Sequence, residues 1–323
     1  MFWLFSAARR LRELGILGMN RRNAACILDH NPRAKFPVVD DKLRMHALCR
    51  QIGVPTPEVY AEVASYSVLR RLPELLGRRD DFVIKPNRGS AGRGVLVVLS
   101  RDGRHYRRHN GEKLSPDQVR QHLSDILSGM YSLGGQPDRA IVQQRIRLHP
   151  AFAAISYKGI PDVRVILYRN EPAMAMLRLP TKASNGRANL HQGGIGTGVD
   201  LDSGRTHHAV QRDRFVDRHP DTGRPVVGLR VPHWGEVLDL SRHVARAVGL
   251  GYVGVDIVVD ADEGPLLLEA NARPGLAIQI ANGRGLLPRL EAIDALLDQA
   301  PRTLPLEYFR QKTRPQEGVR KSA

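Results

Sequence analysis

Only two cysteines, Cys26 and Cys49, occur in this 323-residue chain. They are too few for a disulfide framework or a zinc cluster, and no CxxC spacing is present. A reducing, cytoplasmic setting is the reading that fits. Aromatic residues make up 5% of the chain, which leaves no platform for stacking successive bases. Long apolar runs are missing too, since nothing approaches the roughly 18 residues that a membrane-spanning helix needs. The apolar opening from Met1 to Phe5 is followed, not preceded, by Arg9, Arg10 and Arg12, the reverse of a secretory signal. A buried anchoring helix is the preferred reading of this stretch. A peripheral contact with the anionic inner face of a membrane is the alternative.

Positive charge is plentiful. Lys and Arg number 49 against 33 Asp and Glu, a formal net charge of +16. A surplus of that size attracts an anionic partner and selects its sign, not its identity. The arginines are scattered instead of forming a stripe, so a nucleotide or an acidic substrate fits better than nucleic acid. With 42% hydrophobic residues, the chain can bury one large core or several smaller ones.

Periodicity divides the chain into an α+β arrangement with antiparallel or mixed sheets. Residues 1–55 form a short, mainly helical segment, whose last helix starts near Asp40 and stops at Gly53 and Pro55. A lobe at 56–140 follows, with a helix around 69–76, short strands at 82–84 and 95–99, and a helix opened by Ser115 and Pro116. A second lobe at 141–305 carries strand candidates at 140–144, 163–168, 173–179, 254–259 and 266–269, with a helix near 236–248. The tail at 306–323 is polar and expected to be disordered.

The strongest chemical signal is a hairpin near the C-terminus. The apolar runs around Asp256 and before Glu269 flank the turn-forming stretch 261–264. A turn centred between Asp262 and Glu263 places Asp256 opposite Glu269. The period of two puts Asn271 on the same face as Glu269. Two carboxylates at cross-strand distance repel unless a cation lies between them. An all-oxygen set of Asp256, Glu269 and Asn271 selects magnesium or manganese over zinc. Arg273 and the turn at Pro274 and Gly275 stand just beyond.

A second signal is the glycine-rich loop between the strands at 82–84 and 95–99. Gly89, Ser90, Gly92 and Gly94 let backbone amides approach an anion, and Lys85 at the strand end supplies a point charge. The loop lacks the Gly-Lys-Ser/Thr of a Walker A motif, and no helix follows it directly, so neither that motif nor a dinucleotide fold applies. Nucleotide phosphates fit it. His191 is read as a structural hydrogen-bonder, and His207 and His208 have no metal spacing.

A Lys-bearing strand and glycine-rich loop, followed by an Asp strand and Glu269-Ala-Asn271, resembles the ATP-grasp superfamily. Asp162-Val-Arg164, the stretch ending at Arg178, and Asn189-Leu-His191-Gln-Gly-Gly194 are similar to RimK-type alpha-L-glutamate ligases. The resemblance covers about residues 40–285. It implies an ATP-grasp fold of two α+β lobes holding ATP between them. It also implies that Lys42 and Lys85 contact phosphate, that Gly89, Ser90, Gly92 and Gly94 close over it, and that the backbone around Gln143 and Gln144 reads adenine. Asp256, Glu269 and Asn271 become the ligands of Mg2+ or Mn2+. Arg178, Asn189 and Arg164 stand near the γ-phosphate and acyl phosphate. Gln143 and Gln144 occupy a stretch where the family usually has an acidic residue, and only about 40 residues stand in place of its N-terminal substrate-binding domain.

The implied reaction is ATP-dependent ligation of a carboxylate to an amine through an acyl phosphate, such as addition of glutamate to a peptide or other acidic acceptor. A partner protein could supply the missing substrate-binding surface. Two alternatives belong to other classes: phosphoryl transfer to a hydroxyl on the same core, and a basic nucleic-acid- or membrane-binding module that does not need Asp256, Glu269 or Asn271.

Overall fold

The computed structural model describes residues 9–299 apart from 90, 91 and 109. The expectations for the apolar opening at 1–5, for Ser90 and for the tail at 306–323 lie outside the described residues. Two antiparallel sheets organise the chain. The first contains β1 (Val59–Val63), β2 (Phe82–Pro86), β3 (Leu96–Asp102), β4 (His105–Arg108), β5 (Lys113–Leu114) and β6 (Ala140–Gln143), in the order β1-β6-β2-β3-β4-β5. The second contains β7 (Asp162–Tyr168), β8 (Glu171–Leu179), β9 (Ile195–Val199), β10 (Thr206–Gln211), β11 (Arg214–Phe215), β12 (Tyr252–Asp260) and β13 (Gly264–Asn271). Their order is β11-β10-β9-β8-β7-β12-β13.

Each sheet has its own apolar core. Phe82, Ile84, Leu123, Ile126 and Val142 belong to the smaller one. Its helix α2 (Pro116–Leu127) begins with a full capping box, in which Ser115 accepts from the Gln118 amide and the Gln118 side chain accepts from the Ser115 amide. The larger core is built on β7, β8 and β12 and covered by α3 (Trp234–Val248). Val237, Leu240, Val244 and Val248 of α3 are buried at helical spacing.

The N-terminal segment is not a unit apart. Leu17, Cys26, Phe36, Met45 and Cys49 all pack into the larger core. Its α1 (Lys42–Ile52) is capped at one end by the Asp41 side chain, which accepts from the Arg44 amide, and ends at Gly53 in the left-handed region (φ 70°). Two further boundaries differ from the sequence reading. The expected helix at 69–76 is two short ones, Tyr66–Leu69 and Leu72–Leu76, because Pro73 cannot continue the first helix but starts the second well. The expected lobe boundary at 140/141 falls inside β6, which pairs with β1 and β2, so the first sheet reaches Gln143. Among the described residues no helix is long and apolar enough to cross a membrane.

Candidate active site

The register of the larger sheet sets out the site. Arg164 on β7 is the direct partner of Asp256 on β12, and Asp256 is the direct partner of Glu269 on β13. Two residues along, Arg178 on β8 stands opposite Asp162 on β7. Because side chains alternate with period two, both rows point from the same face. The opposite face, with Val163, Val165, Val255 and Ile257, is buried in the core.

The resulting face floors a cavity of about 520 Å³. Arg164, Arg178, Glu269 and Asn271 line it, joined by Asn189 and His191 from the turn after β8, Lys42 from α1, and Arg88 and Gly89 from the glycine-rich loop. Arg273, Asp40, Ser132 and Gln136 complete the polar lining. Five cations and two acids therefore share it, which favours an anionic ligand.

Asp256 is the most enclosed member of the group, at 2% exposure. Arg164 grips it with two hydrogen bonds, Nε to Oδ1 at 2.7 Å and Nη2 to Oδ2 at 2.6 Å. Arg178 adds Nη2 to Oδ2 at 2.8 Å and donates its Nε to Asp162. Burial alone would raise the Asp256 pKa, but the two guanidinium groups outweigh it and hold the carboxyl well below the usual range. Asp162 goes the other way. Burial pushes it up to about 7, with Arg178 opposing and the Asp256 charge adding to the rise. The cation expected between Asp256 and its neighbours is thus in part arginine, supplied by strands whose pairing a local reading cannot see.

Glu269 and Asn271 are placed differently. Both are half-buried and line the cavity, with Asn271 Nδ2 donating to Glu269 Oε1 at 3.2 Å. Three arginine hydrogen bonds occupy most of the acceptor capacity of Asp256, leaving a lone pair on Oδ1. Among the described residues no group of three or more His, Cys, Asp or Glu could hold a metal. The donor set is all oxygen, and a magnesium ion that keeps waters and takes phosphate oxygens fits it, with Glu269 and Asn271 as the ligands on offer and Asp256 beneath them.

The expected nucleotide-binding residues lie around two spaces, and Lys42 lines both. Lys42 donates to the backbone oxygens of Gly89 (2.8 Å) and Asn87 (3.2 Å), tying α1 to the loop at the cavity edge. Lys85 and the buried Gln143 line a narrower recess of about 20 Å³, together with His46, Thr56 and Leu268. Burial lowers the Lys85 pKa to about 7; the Lys42 charge adds to the fall and Glu269 opposes it. Gly89 lines the cavity, and a Cβ there would lie 2.2 Å from Pro86 Cγ.

Gly92 and Gly94 are not among the residues lining either space. Gly94 has φ 72° and lies against the Tyr131 ring. Gln144 is also elsewhere: its carbonyl accepts from the Glu58 amide at 2.9 Å and its amide donates to Glu263. Asn189 lines the cavity and caps the turn Leu190–Gln192 by accepting from the His191 amide at 3.0 Å. The sequence reading gave no role to Asp162, although Asp162 and Arg164 sit two apart on one strand and therefore share a face.

A family profile described as sugar-transfer associated ATP-grasp matches residues 21–295. The ribosomal protein bS6–L-glutamate ligase of Salmonella paratyphi B is 25% identical over 272 residues, covering 84% of this chain and 66% of that protein. The chain thus spans a little under two thirds of the length of this relative. The ATP-grasp ligase PsnB, solved with precursor peptide PsnA2 and AMPPNP, superposes with a TM-score of 0.46 at 18% identity, covering 84% of this chain and 63% of PsnB. The RimK domain protein of Sphaerobacter thermophilus superposes with a TM-score of 0.44 at 14% identity, covering 81% of this chain and 70% of that one.

Proposed function

Since the chain belongs to the sugar-transfer associated ATP-grasp family, we propose that it uses magnesium-ATP to activate a carboxylate and join it to an amine. The observation that carries this reading is the face shared by Arg164, Arg178, Glu269 and Asn271, which places cations and hard oxygen donors on the floor of one cavity. No side chain is needed as a covalent nucleophile.

In this reading the nucleobase end of ATP lies toward Gln143, and the phosphates extend past Lys85, Lys42 and Gly89 toward Glu269. Lys42, Lys85 and Arg178 offset charge on the transferring phosphoryl group. Magnesium held by Glu269 and Asn271 would supply neutralisation of the phosphate oxygens. Arg178 keeps its orientation because Asp162 and Asp256 hold it from two sides, so little reorganisation accompanies the reaction. The substrate carboxylate attacks the γ-phosphorus in line, ADP leaves, and the acyl phosphate is then opened by the amine with loss of phosphate. The glycine-rich loop shields that intermediate from water.

The relative from Salmonella paratyphi B is named for joining L-glutamate to ribosomal protein bS6. The corresponding proposal for this chain is an amino acid, such as glutamate, added to a peptide or other acidic acceptor. Because the family is described as sugar-transfer associated, glycan acids belong among the substrates to be tested. The test is ADP and phosphate release from magnesium-ATP across amino acids, short peptides and glycan acids. Release requiring both an acid and an amine supports a ligase. A stable phosphoester product would instead make the protein a kinase.

A further inference from the structure

The N-terminal segment contributes more than packing. Phe36, 8% exposed, is anchored in the larger core, and its ring carries the Arg273 guanidinium with Cζ 4.6 Å from the ring centroid. Arg273 lines the cavity, as do Val39, Asp40 and Gly275.

The other cavity cations are engaged. Arg164 and Arg178 hold Asp256 and Asp162. Lys42 donates to two backbone carbonyls, and Arg88 lies 3.7 Å from Asp41. Among the described residues no hydrogen bond or ion pair holds Arg273; the ring contact alone orients it. A stacked guanidinium uses its face for the ring and keeps its N–H edges in plane for a ligand. Those edges match a carboxylate or phosphate in bidentate geometry.

We propose that Arg273, braced on Phe36, recognises an anionic group of the acid substrate other than the carboxylate that reacts, so that the substrate carries at least two anionic groups. This inference rests on the ligase reading for the identity of the reacting end. The charges needed at that end already come from Lys42, Lys85 and Arg178, whereas among the described residues Arg273 is held by the Phe36 ring alone. Arg273 is thereby a specificity-determining residue, and Phe36 the residue that positions it.

The probes are the dicarboxylates succinate, glutarate and adipate, each paired with its monoamide, which keeps one carboxylate and removes the second charge. Each is titrated by calorimetry into the full chain loaded with Mg-ADP, and each is assayed for ADP release from Mg-ATP with hydroxylamine as a simple amine. Wild type is expected to prefer at least one dicarboxylate to its monoamide. Arg273→Gln should weaken that dicarboxylate by roughly 10- to 100-fold in Kd and KM and leave the monoamide and the KM for ATP unchanged. Phe36→Leu should lose a few-fold of the same discrimination, since the guanidinium stays but its brace is gone. Discrimination retained in full by Arg273→Gln, or absent in wild type, overturns the proposal. Failure of the ligase reading is separate: wild type would release no ADP with any acid, while the calorimetric comparison would still decide the role of Arg273.

Discussion

Asp256 and Glu269 are direct cross-strand partners in the β12–β13 hairpin, yet only Glu269 lines the cavity, while Asp256 lies beneath it between Arg164 and Arg178. The two carboxylates therefore respond differently to neutralisation. Glu269→Gln should leave the melting temperature within about 2 °C of wild type and lower ATP turnover by at least about 100-fold. Asp256→Asn should also cost roughly 3–5 kcal/mol of stability, because it leaves two enclosed guanidinium groups without their central counter-ion. Urea unfolding of both variants checks this. Equal stability losses would contradict the division of roles.

Asp162 gives the fold a pH dependence. Its carboxyl is pushed up to about 7 from an ordinary value of 3.8, burial being the first cause. Between those values the native state keeps a proton that the unfolded chain has released, so this group makes stability fall as pH rises through that window. Asp162→Asn should flatten that slope. Denaturation midpoints at about pH 5 and about pH 7, compared between wild type and variant, measure the effect. An unchanged slope would refute it.

Lys85 should couple nucleotide binding to protons. Burial and the nearby Lys42 lower it to about 7 in the free protein. A bound phosphate would favour the charged form, so the complex holds a proton that the free protein lacks above that pH. Affinity for ADP should then weaken as pH rises from about 7 toward the ordinary lysine value. Calorimetry at about pH 8 in buffers of different ionisation heat should detect proton uptake in wild type and a smaller uptake in Lys85→Met. Identical uptake in the two would remove Lys85 from the phosphate site.

Gly89 is fixed by its neighbour. An added methyl would overlap Pro86 Cγ at 2.2 Å, in a stretch where Lys42 also binds the Gly89 carbonyl. Gly89→Ala should cost roughly 1–3 kcal/mol and raise the KM for ATP by about 10-fold, equivalent to about 1.4 kcal/mol of lost binding. Stability and ATP kinetics of the variant measure both, and wild-type values in the two would contradict the assignment.

Much of this arrangement was legible in the sequence. The helix start at Ser115 and Pro116, the stop at Gly53 and the pairing of Asp256 with Glu269 all follow from local rules. The last pairing is reached by a different route from the one expected. The turn spans 261–263, which shifts the register from Ile257 to Asp260 by one residue, and an extra residue at Leu268 restores it at Asp256. Two local departures cancel at the site.

What local rules missed came from distant pairing. Arg164 meets Asp256 because β7 pairs with β12, 92 residues away, and no periodicity encodes that choice. β9 was unreadable for another reason. Gly196 and Gly198 depress strand propensity, yet a Cβ at Gly198 would lie 2.8 Å from Ala281 O and Asn282 Cα. Close packing of the helix Ile278–Asn282 against the sheet requires a residue without a side chain there. The sequence shows the segment before α1 as mainly helical but not what it packs on, because its partners, in the core of β7, β8 and β12, lie far along the chain.

In the proposed reaction a carboxylate of the substrate attacks the γ-phosphate of ATP on the floor set by Arg178 and Glu269. The most direct test uses the acid that drives ADP release, labelled with 18O in its carboxylate, in the presence of Mg-ATP and an amine. One labelled oxygen should appear in each phosphate released, because the acyl phosphate opens at carbon and leaves that oxygen on phosphorus. Unlabelled phosphate formed in step with ADP would mean that water attacks ATP instead, and would exclude an acyl phosphate.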